Sequence, residues 1–299
     1  MAEAKNPCYV KRELPALSAG ETRLLYVTRL LPEDPVSRRV LHAHRDCAEV
    51  LLLTGGRGRF QVGESSYEAK AGDLLVYNSG VVHEETACEG EALSSWCVGV
   101  GGLQLPGLPE NALLPEGVPP VLHPDGAAAA ELQQLYAMMY RSLTEDRPGC
   151  ETFCHFLLLA LLCQVVQLTG DAPQRPAVES DSLGRRVQEF IDQHYQEPLT
   201  LQDIGKALHV SPYYLSHVFK ESSGYSPMQY LLRRRIGEAQ NLLISTDLPI
   251  ARIAEAVGYE TQNYFNLQFS KHVGIPPRKF RQSFKETHLK PGRQTEEES

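Results

Sequence analysis

Two groups of residues in this 299-residue chain carry side chains able to do chemistry, and they lie far apart. His42 and His44 are separated by one residue. In an extended strand that spacing turns both imidazoles to one face, the geometry that two ligands of a single metal ion require. Far downstream, Tyr213, Ser216, His217 and Lys220 fall on one side of a helical stretch, and Gln262, Asn263, Asn266, Leu267 and Ser270 on one side of another. Gln and Asn suit adenine edges through paired hydrogen bonds, while Ser and His can meet base edges or phosphates. Between them stand Arg233, Arg234 and Arg235, too many for one buried face, so at least one is expected on a nucleic-acid phosphate. That role is assigned to Arg234 and Arg235, with a solvated charge as the alternative for Arg233. The seven cysteines (8, 47, 88, 97, 150, 154, 163) form no CxxC pair, so neither a disulfide framework nor a zinc knuckle is indicated. Nothing basic or helix-capping surrounds Cys47, Cys88 or Cys97, which argues against a thiol sensor.

The elements that must position these groups divide the chain in two. Residues 1–180 hold 14 Lys+Arg against 23 Asp+Glu, whereas residues 181–299 hold 15 against 14, so only the second half is suited to a polyanion. At 42% hydrophobic and 22% charged residues the composition is that of a folded protein with a sizeable core. The longest apolar run, residues 156–163, is shorter than a membrane span needs, and the N-terminus has no apolar signal core, so no membrane partner and a cytoplasmic location are expected. Residues 20–100 read as short strands broken by Gly-Gly, Val-Gly-Glu, Ala-Gly-Asp and Asn-Ser-Gly, the spacing of an all-β barrel or sandwich. A Pro/Gly-rich connection follows, then two apolar helical stretches within 127–169 that must pack on the barrel, on each other or on a second subunit. Residues 170–180 read as a polar linker, 181–286 as helical, and 287–299 as a disordered tail.

The helical half contains one pattern twice. Leu201, Ile204, Ala207 and Val210 align with Ile250, Ile253, Ala256 and Tyr259 at an offset of 49, and Leu215, Phe219, Gly224, Pro227 and Tyr230 with Phe265, Phe269, Gly274, Pro277 and Phe280 at 50. Thr200 and Asp203 form a capping box over a short helix whose small Ala207 permits close contact. Ser211 and Pro212 then open a second helix burying Leu215, Val218 and Phe219. Two short helices joined by a tight turn make a helix-turn-helix, whose second helix can enter a major groove. Residues 228–246 read as a continuous bridge between the units, with Leu231, Ile236, Ala239, Leu242 and Leu243 toward the core.

With both units and the bridge in register, residues 185–284 resemble the DNA-binding domain of the AraC/XylS family of transcriptional regulators, most clearly in IARIAEAVGYETQNYFNLQFSKHVGIPPRKFR. The resemblance implies seven helices, with Tyr213, Ser216 and His217 as readers of the first unit and Gln262, Asn263, Asn266 and Leu267 of the second. His217 and Leu267 stand where the family commonly has Arg. In the first half, His42-Ala-His44, Glu49 and Gly56, followed by residues 72–83, resemble the paired motif of the cupin barrel. That resemblance implies that Glu49 and His83 complete a three-His, one-carboxylate set with His42 and His44, and that Asn78 replaces a loop proline. In regulators of this architecture the barrel senses a small molecule, often a sugar. His42, His44, Glu49, Tyr77, His83 and Trp96 are therefore expected to line a ligand pocket, with Arg57 a further candidate. No cofactor is required on this reading, and a divalent metal in the barrel is the alternative.

The expected architecture is a two-domain α+β protein. It comprises a cupin-like sensor barrel (1–126), a helical dimerisation and coupling segment (127–169, with residues 156–162 as the dimer contact or as a cover for the barrel), the linker, and an all-α domain of two helix-turn-helix units joined by a bridging helix (181–286). The expected function is a non-enzymatic, ligand-responsive regulator with double-stranded DNA, a small-molecule effector, a second copy of the chain and RNA polymerase as partners. The alternative is a cupin metalloenzyme or metal-binding sensor with an accessory helical domain.

Overall fold

Residues 9–11, 22–32, 39–170 and 182–288 are described in a computed structural model. Of the expected linker at 170–180 and tail at 287–299, Gly170 ends one helix and residues 287–288 end another, while 171–180 and 289–299 lie outside the described residues. The first domain is built from antiparallel strands: β1 (Tyr9–Lys11), β2 (Arg23–Leu30), β3 (Ala48–Gly55), β4 (Arg57–Val62), β5 (Ser65–Lys70), β6 (Leu74–Tyr77), β7 (His83–Ala87), β8 (Ser94–Gly101) and β9 (Val121–Leu122). They form a six-stranded sheet, β1-β2-β8-β3-β6-β9, and a three-stranded sheet, β5-β4-β7.

Strand alternation sorts the large sheet's side chains between two cores. Leu51, Leu53, Leu75, Tyr77 and Cys97 point inward and meet Phe60 and Ala69 of the small sheet. Val50, Leu52, Leu74, Val76, Trp96 and Val98 point outward, against α1 (Gly126–Thr144) and α2 (Cys150–Gly170). The outer face is apolar because these helices cover it: Leu132, Tyr136, Met139, Leu158, Leu161 and Val165 are buried there, and the Tyr136 hydroxyl donates to the Val50 carbonyl at 2.8 Å. The expected irregular connection after β8 holds a short strand, β9, on the edge of β6. Asn78, the departure from the barrel motif, pins that connection. Its Oδ1 accepts from the Leu113 and Leu114 amides at 2.8 and 3.0 Å, and its Nδ2 donates to the Leu114 carbonyl at 2.9 Å.

The second domain comprises α3 (Leu183–His194), α4 (Leu201–Ala207), α5 (Pro212–Ser223), α6 (Pro227–Ser245), α7 (Ile250–Ala256), α8 (Gln262–Val273) and α9 (Pro277–His288). The repeat is structural. α4 and α7 both have seven residues, α5 and α8 both have twelve, and each of the longer pair ends on a left-handed glycine, Gly224 or Gly274. The capping box at Thr200 and Asp203, the Ser211 cap and the Pro212 start form as their residue types dictate. The close helix contact in the first unit is made at Gly205, where an added Cβ would lie 2.8 Å from the Val210 carbonyl. Ala207, expected in that role, faces solvent, and Val218 is only half-buried.

The domains share a boundary. Val40, Leu41, Ala43 and Val82 of the barrel belong to the helical domain's own apolar core. The Val40 amide donates to Gln240 Oε1 at 2.9 Å, Arg39 to Asn241 Oδ1 at 2.6 Å, and Asn241 Nδ2 to the Ala43 carbonyl at 3.3 Å. At Gly237 the backbones approach so closely that a Cβ would lie 2.0 Å from the Leu41 carbonyl oxygen.

Candidate effector cavity and nucleic-acid interface

The imidazoles of His42, His44 and His83 and the carboxylate of Glu49 converge, each offering one ligand atom within 4.8 Å of the others. His42 and His83 face each other across an isolated antiparallel bridge, which fixes their backbones. Nδ1 of each contacts the carbonyl two residues earlier, Val40 at 2.9 Å and Val81 at 3.0 Å. Were both Nδ1 atoms to carry the proton and donate to those carbonyls, both Nε2 lone pairs would point inward, the tautomer in which second-shell partners hold metal-ligating histidines. Nε2 of His83 is buried without a hydrogen bond and lies 3.0 Å from Glu49 Oε2; His44 Nε2 lies 3.4 Å from Glu49 Oε1. The Tyr26 hydroxyl donates to Glu49 Oε1, its ring seated against Gly99, where any Cβ would collide with it. This donor set fits a divalent transition metal, which would be held by three imidazole nitrogens and one carboxylate and would supply a Lewis-acidic centre facing the cavity.

Burial pushes the His42 imidazole well below its ordinary value, helped by Arg39, and pushes His44 down to about 4 against the opposing pull of Glu49. Burial alone would raise the Glu49 carboxyl, but His44, His83 and the Tyr26 hydroxyl outweigh it and hold the group ionised. Glu85, absent from the sequence expectations, is raised to about 7 by burial, with Glu49 adding to the shift against the opposing His83.

A cavity of about 460 Å³ opens onto this cluster. Its barrel wall includes Arg23, Tyr26, Thr28, Arg39, His42, His44, Glu49, Glu85 and Ser95. Its opposite wall is Glu238, Asn241, Ile244 and Ser245 of α6 with Phe284 of α9. Pockets of this size, with apolar walls and a few convergent polar groups, suit small organic ligands. Tyr77 and His83 lie outside its lining: Tyr77 is buried behind His83, its ring stacked at 3.9 Å and 13°. Two further expectations are corrected. Trp96 faces the other way, into the outer core, 5.3 Å from the Tyr140 ring and 6.5 Å from Tyr136, because the neighbouring Cys97 takes the inward position. Arg57 is largely exposed, 3.8 Å from Glu91.

On the helical domain, α5 presents Tyr213 (84% exposed), His217 and Lys220 to solvent, with Ser216 half-buried. α8 presents Gln262, Asn263 and Leu267 (64% exposed), with Asn266 half-buried. The two second helices of a duplicated helix-turn-helix thus carry their polar residues outward while Leu215, Phe219, Phe265 and Phe269 are fully buried. Residues 25–162 match the AraC-like ligand binding domain, and residues 204–283 match a helix-turn-helix domain. The chain belongs to the AraC/XylS family of transcriptional regulators.

An HTH-type transcriptional regulator of Escherichia coli, YdiP, is 26% identical over 260 residues, spanning 85% of this chain and 84% of that one. The lactose operon transcription activator of Staphylococcus xylosus is 26% identical over 238 residues, 78% of this chain and 83% of that one. Among solved structures, the C-terminal domain of AraT, a response regulator from Geobacillus stearothermophilus, is 35% identical and covers 40% of this chain and 97% of that one, with a TM-score of 0.35. These relatives are named as regulators, and this AraC/XylS chain combines a ligand-binding domain with a DNA-binding one.

The bridge arginines are placed otherwise than the sequence suggests. Arg234 is buried at 3% exposure, between Asp192 at 3.3 Å and Glu238 at 3.2 Å and over the Tyr195 ring. Arg235 donates to the Tyr195 and Glu197 carbonyls at 2.6 and 2.7 Å and lies over Tyr259, tying the end of α3 to the second unit. Arg234 is thereby spent inside the domain, whereas Arg235 is half-buried with its Nε and Nη2 committed to backbone carbonyls. Arg233 crosses to the barrel, donating through Nε to buried Glu84 at 2.9 Å. His123 and His155, outside every site, are structural: His123 Nδ1 lies 2.7 Å from buried Asp73, and His155 is buried in α2.

Proposed function

We propose that this AraC/XylS regulator is a cytoplasmic, non-enzymatic switch whose effector is a polar small molecule of sugar type, bound in the cavity between the barrel and α6. The observation that carries this reading is the cavity's two-sided wall: a molecule touching His44 and Arg39 on one side and Asn241 and Ser245 on the other binds two domains at once. Its affinity then differs between docked and separated arrangements, which is the requirement for a ligand to shift that equilibrium. Hydroxyl, carboxylate, amide and guanidinium groups around the wall suit a hydroxylated ligand, and one relative is named for the lactose operon. A screen of mono- and disaccharides by thermal shift tests it. Ser245→Trp, which fills the mouth from α6, is expected to abolish the ligand-induced rise in Tm while leaving DNA binding intact; an undiminished shift in that variant would place the effector elsewhere.

On DNA, Tyr213, Ser216, His217 and Lys220 serve the first unit and Gln262, Asn263, Asn266 and Leu267 the second. Binding to sites selected from random DNA is expected to weaken by about 1–3 kcal/mol for each bidentate base contact removed in Gln262→Ala and Asn263→Ala. Lys220→Ala should instead reduce the salt slope by about one, as loss of a phosphate contact does. If these three variants bind and discriminate like the wild type, the reading face lies elsewhere.

The active species on this reading is a homodimer that works with RNA polymerase at its promoters, which transcription with purified polymerase would test. α2 is long and apolar enough to cross a membrane by composition, yet its inner face packs on α1 and the sheet. Its outer face leaves Phe153, Phe156, Ala160, Cys163 and Val166 exposed along one stripe, while Leu158, Leu161 and Leu162 of the expected contact are spent covering the barrel. The stripe suits the same stripe of a second copy. Phe156→Glu is expected to sediment as a monomer; an unchanged dimer would move the contact off α2.

A further inference from the structure

We propose that Arg235 is a positioning residue for DNA recognition: with Gly258 and Tyr259 it locks the second helix-turn-helix unit to the end of α3, and so sets the one spacing of two DNA subsites that the chain accepts. The inference rests on the reading of α5 and α8 as the two DNA-reading helices. It begins with two turns that hold the same place in the repeat and differ in what they touch. His209 of the first unit and Gly258 of the second correspond at the offset of 49, and both are left-handed, with φ of 56° and 88°. His209 is exposed, so its turn tolerates a side chain. At Gly258 a Cβ would lie 2.7 Å from the Gln196 carbonyl oxygen and 3.0 Å from that of Tyr195. Glycine there lets the turn of the second unit press directly on the chain leaving α3.

Arg235 clamps the same spot from α6. Its Nε donates to the Tyr195 carbonyl at 2.6 Å and its Nη2 to the Glu197 carbonyl at 2.7 Å, a planar fork that a lysine ammonium does not reproduce. The guanidinium lies 5.6 Å over the Tyr259 ring. That ring is buried and meets Tyr264 at 5.9 Å and Phe265 at 5.4 Å, both in the first turn of α8. One side chain therefore joins the segment leading into α4 to the start of a reading helix. The end of α3 is itself held to the first unit, because Val187 and Ile191 share a core with Leu215 and Phe219 of α5. Apolar packing is non-directional, whereas hydrogen bonds to fixed carbonyls are directional, so the junction sets the rotation of α8 relative to α5. One base pair inserted between the subsites would move the second by about 3.4 Å and turn it by about 35°. A rigid pair of reading helices cannot follow that displacement.

The test uses the full chain and one duplex selected from random DNA by the wild type, together with the same duplex carrying one base pair inserted or deleted between the subsites. The wild type is expected to bind the altered duplexes about 5- to 150-fold more weakly, a cost like that of a mismatched base pair. In Arg235→Ala that penalty is expected to shrink by about fivefold or more at an unchanged salt slope. Arg235→Lys should not restore it, and Gly258→Ala, which pushes the turn off Gln196, should relax the spacing in the same way; circular dichroism checks that each variant is folded. A wild type indifferent to spacing would overturn the inference. So would an undiminished penalty in folded Arg235→Ala: a uniform loss of affinity on all three duplexes would make the side chain structural only, and a salt slope lower by about one would make it a phosphate contact. Wild-type binding that ignores base changes in one subsite would overturn the two-helix reading itself.

Discussion

Gly237→Ala is expected to separate the two domains while leaving each of them folded. The new methyl would sit 2.0 Å from the Leu41 carbonyl oxygen and 2.9 Å from that of Val40, both backbone atoms with no rotamer to yield. Within α6 the same change is favourable, since Ala exceeds Gly in helix propensity by about 1 kcal/mol. The cost falls on docking alone. Overpacking of this kind costs about 1–3 kcal/mol, which shifts the docked population by about 5- to 150-fold. The variant should keep its helical circular dichroism and its thermal unfolding, while amides at 39–44 and 82–84 exchange faster. Unchanged exchange there would show that the contact is not under the strain the distances imply.

Arg234→Ala is expected to destabilise the helical domain by about 3–5 kcal/mol, the cost of stranding the partners of a buried charge. Asp192 and Glu238 would lose their guanidinium, and the Tyr230 hydroxyl, which donates to Asp192 at 3.1–3.2 Å, would remain beside an uncompensated carboxylate. Burial already raises the Asp192 carboxyl against the lowering effect of Arg234, so removing the arginine moves it further in the same direction. A chevron or denaturant midpoint reads the loss. If Arg234 were instead a phosphate ligand, stability would be unchanged and only DNA affinity and its salt slope would fall.

That contrast marks where the sequence stops being legible. The duplicated helix-turn-helix can be read from the chain because its signals are local: caps at Thr200 and Ser211, a proline at the first helical position, and apolar residues at helical spacing. The destinations of the three arginines cannot, because Arg233 pairs with Glu84, Arg234 with Asp192 and Arg235 with the Tyr195 and Glu197 carbonyls, all distant in sequence. The four metal-type ligands were recognisable by motif, and the structure does bring them together. Trp96 was misplaced because β8 is buried on both faces, so its composition carries no alternation to tell inner from outer positions. Only the register, with Cys97 Sγ 3.8 Å from Glu49 Oε1, sets the parity. Gly237 gave no positive signal, since a glycine inside a helix reads as a cost until the neighbouring backbone is seen. The α6 wall of the cavity was hidden for the same reason: an interface between domains leaves no local pattern.

Docking of the barrel on α6 is expected to be energetically coupled to DNA binding, and the coupling can be tested without knowing any ligand. The measurement is the affinity of the wild-type chain and of Gly237→Ala for one site selected from random DNA, at the same fixed salt. The two affinities are expected to differ by about fivefold or more, with the same salt slope because no phosphate contact has been altered. Equal affinities, in a variant shown by hydrogen exchange to be undocked, would contradict it.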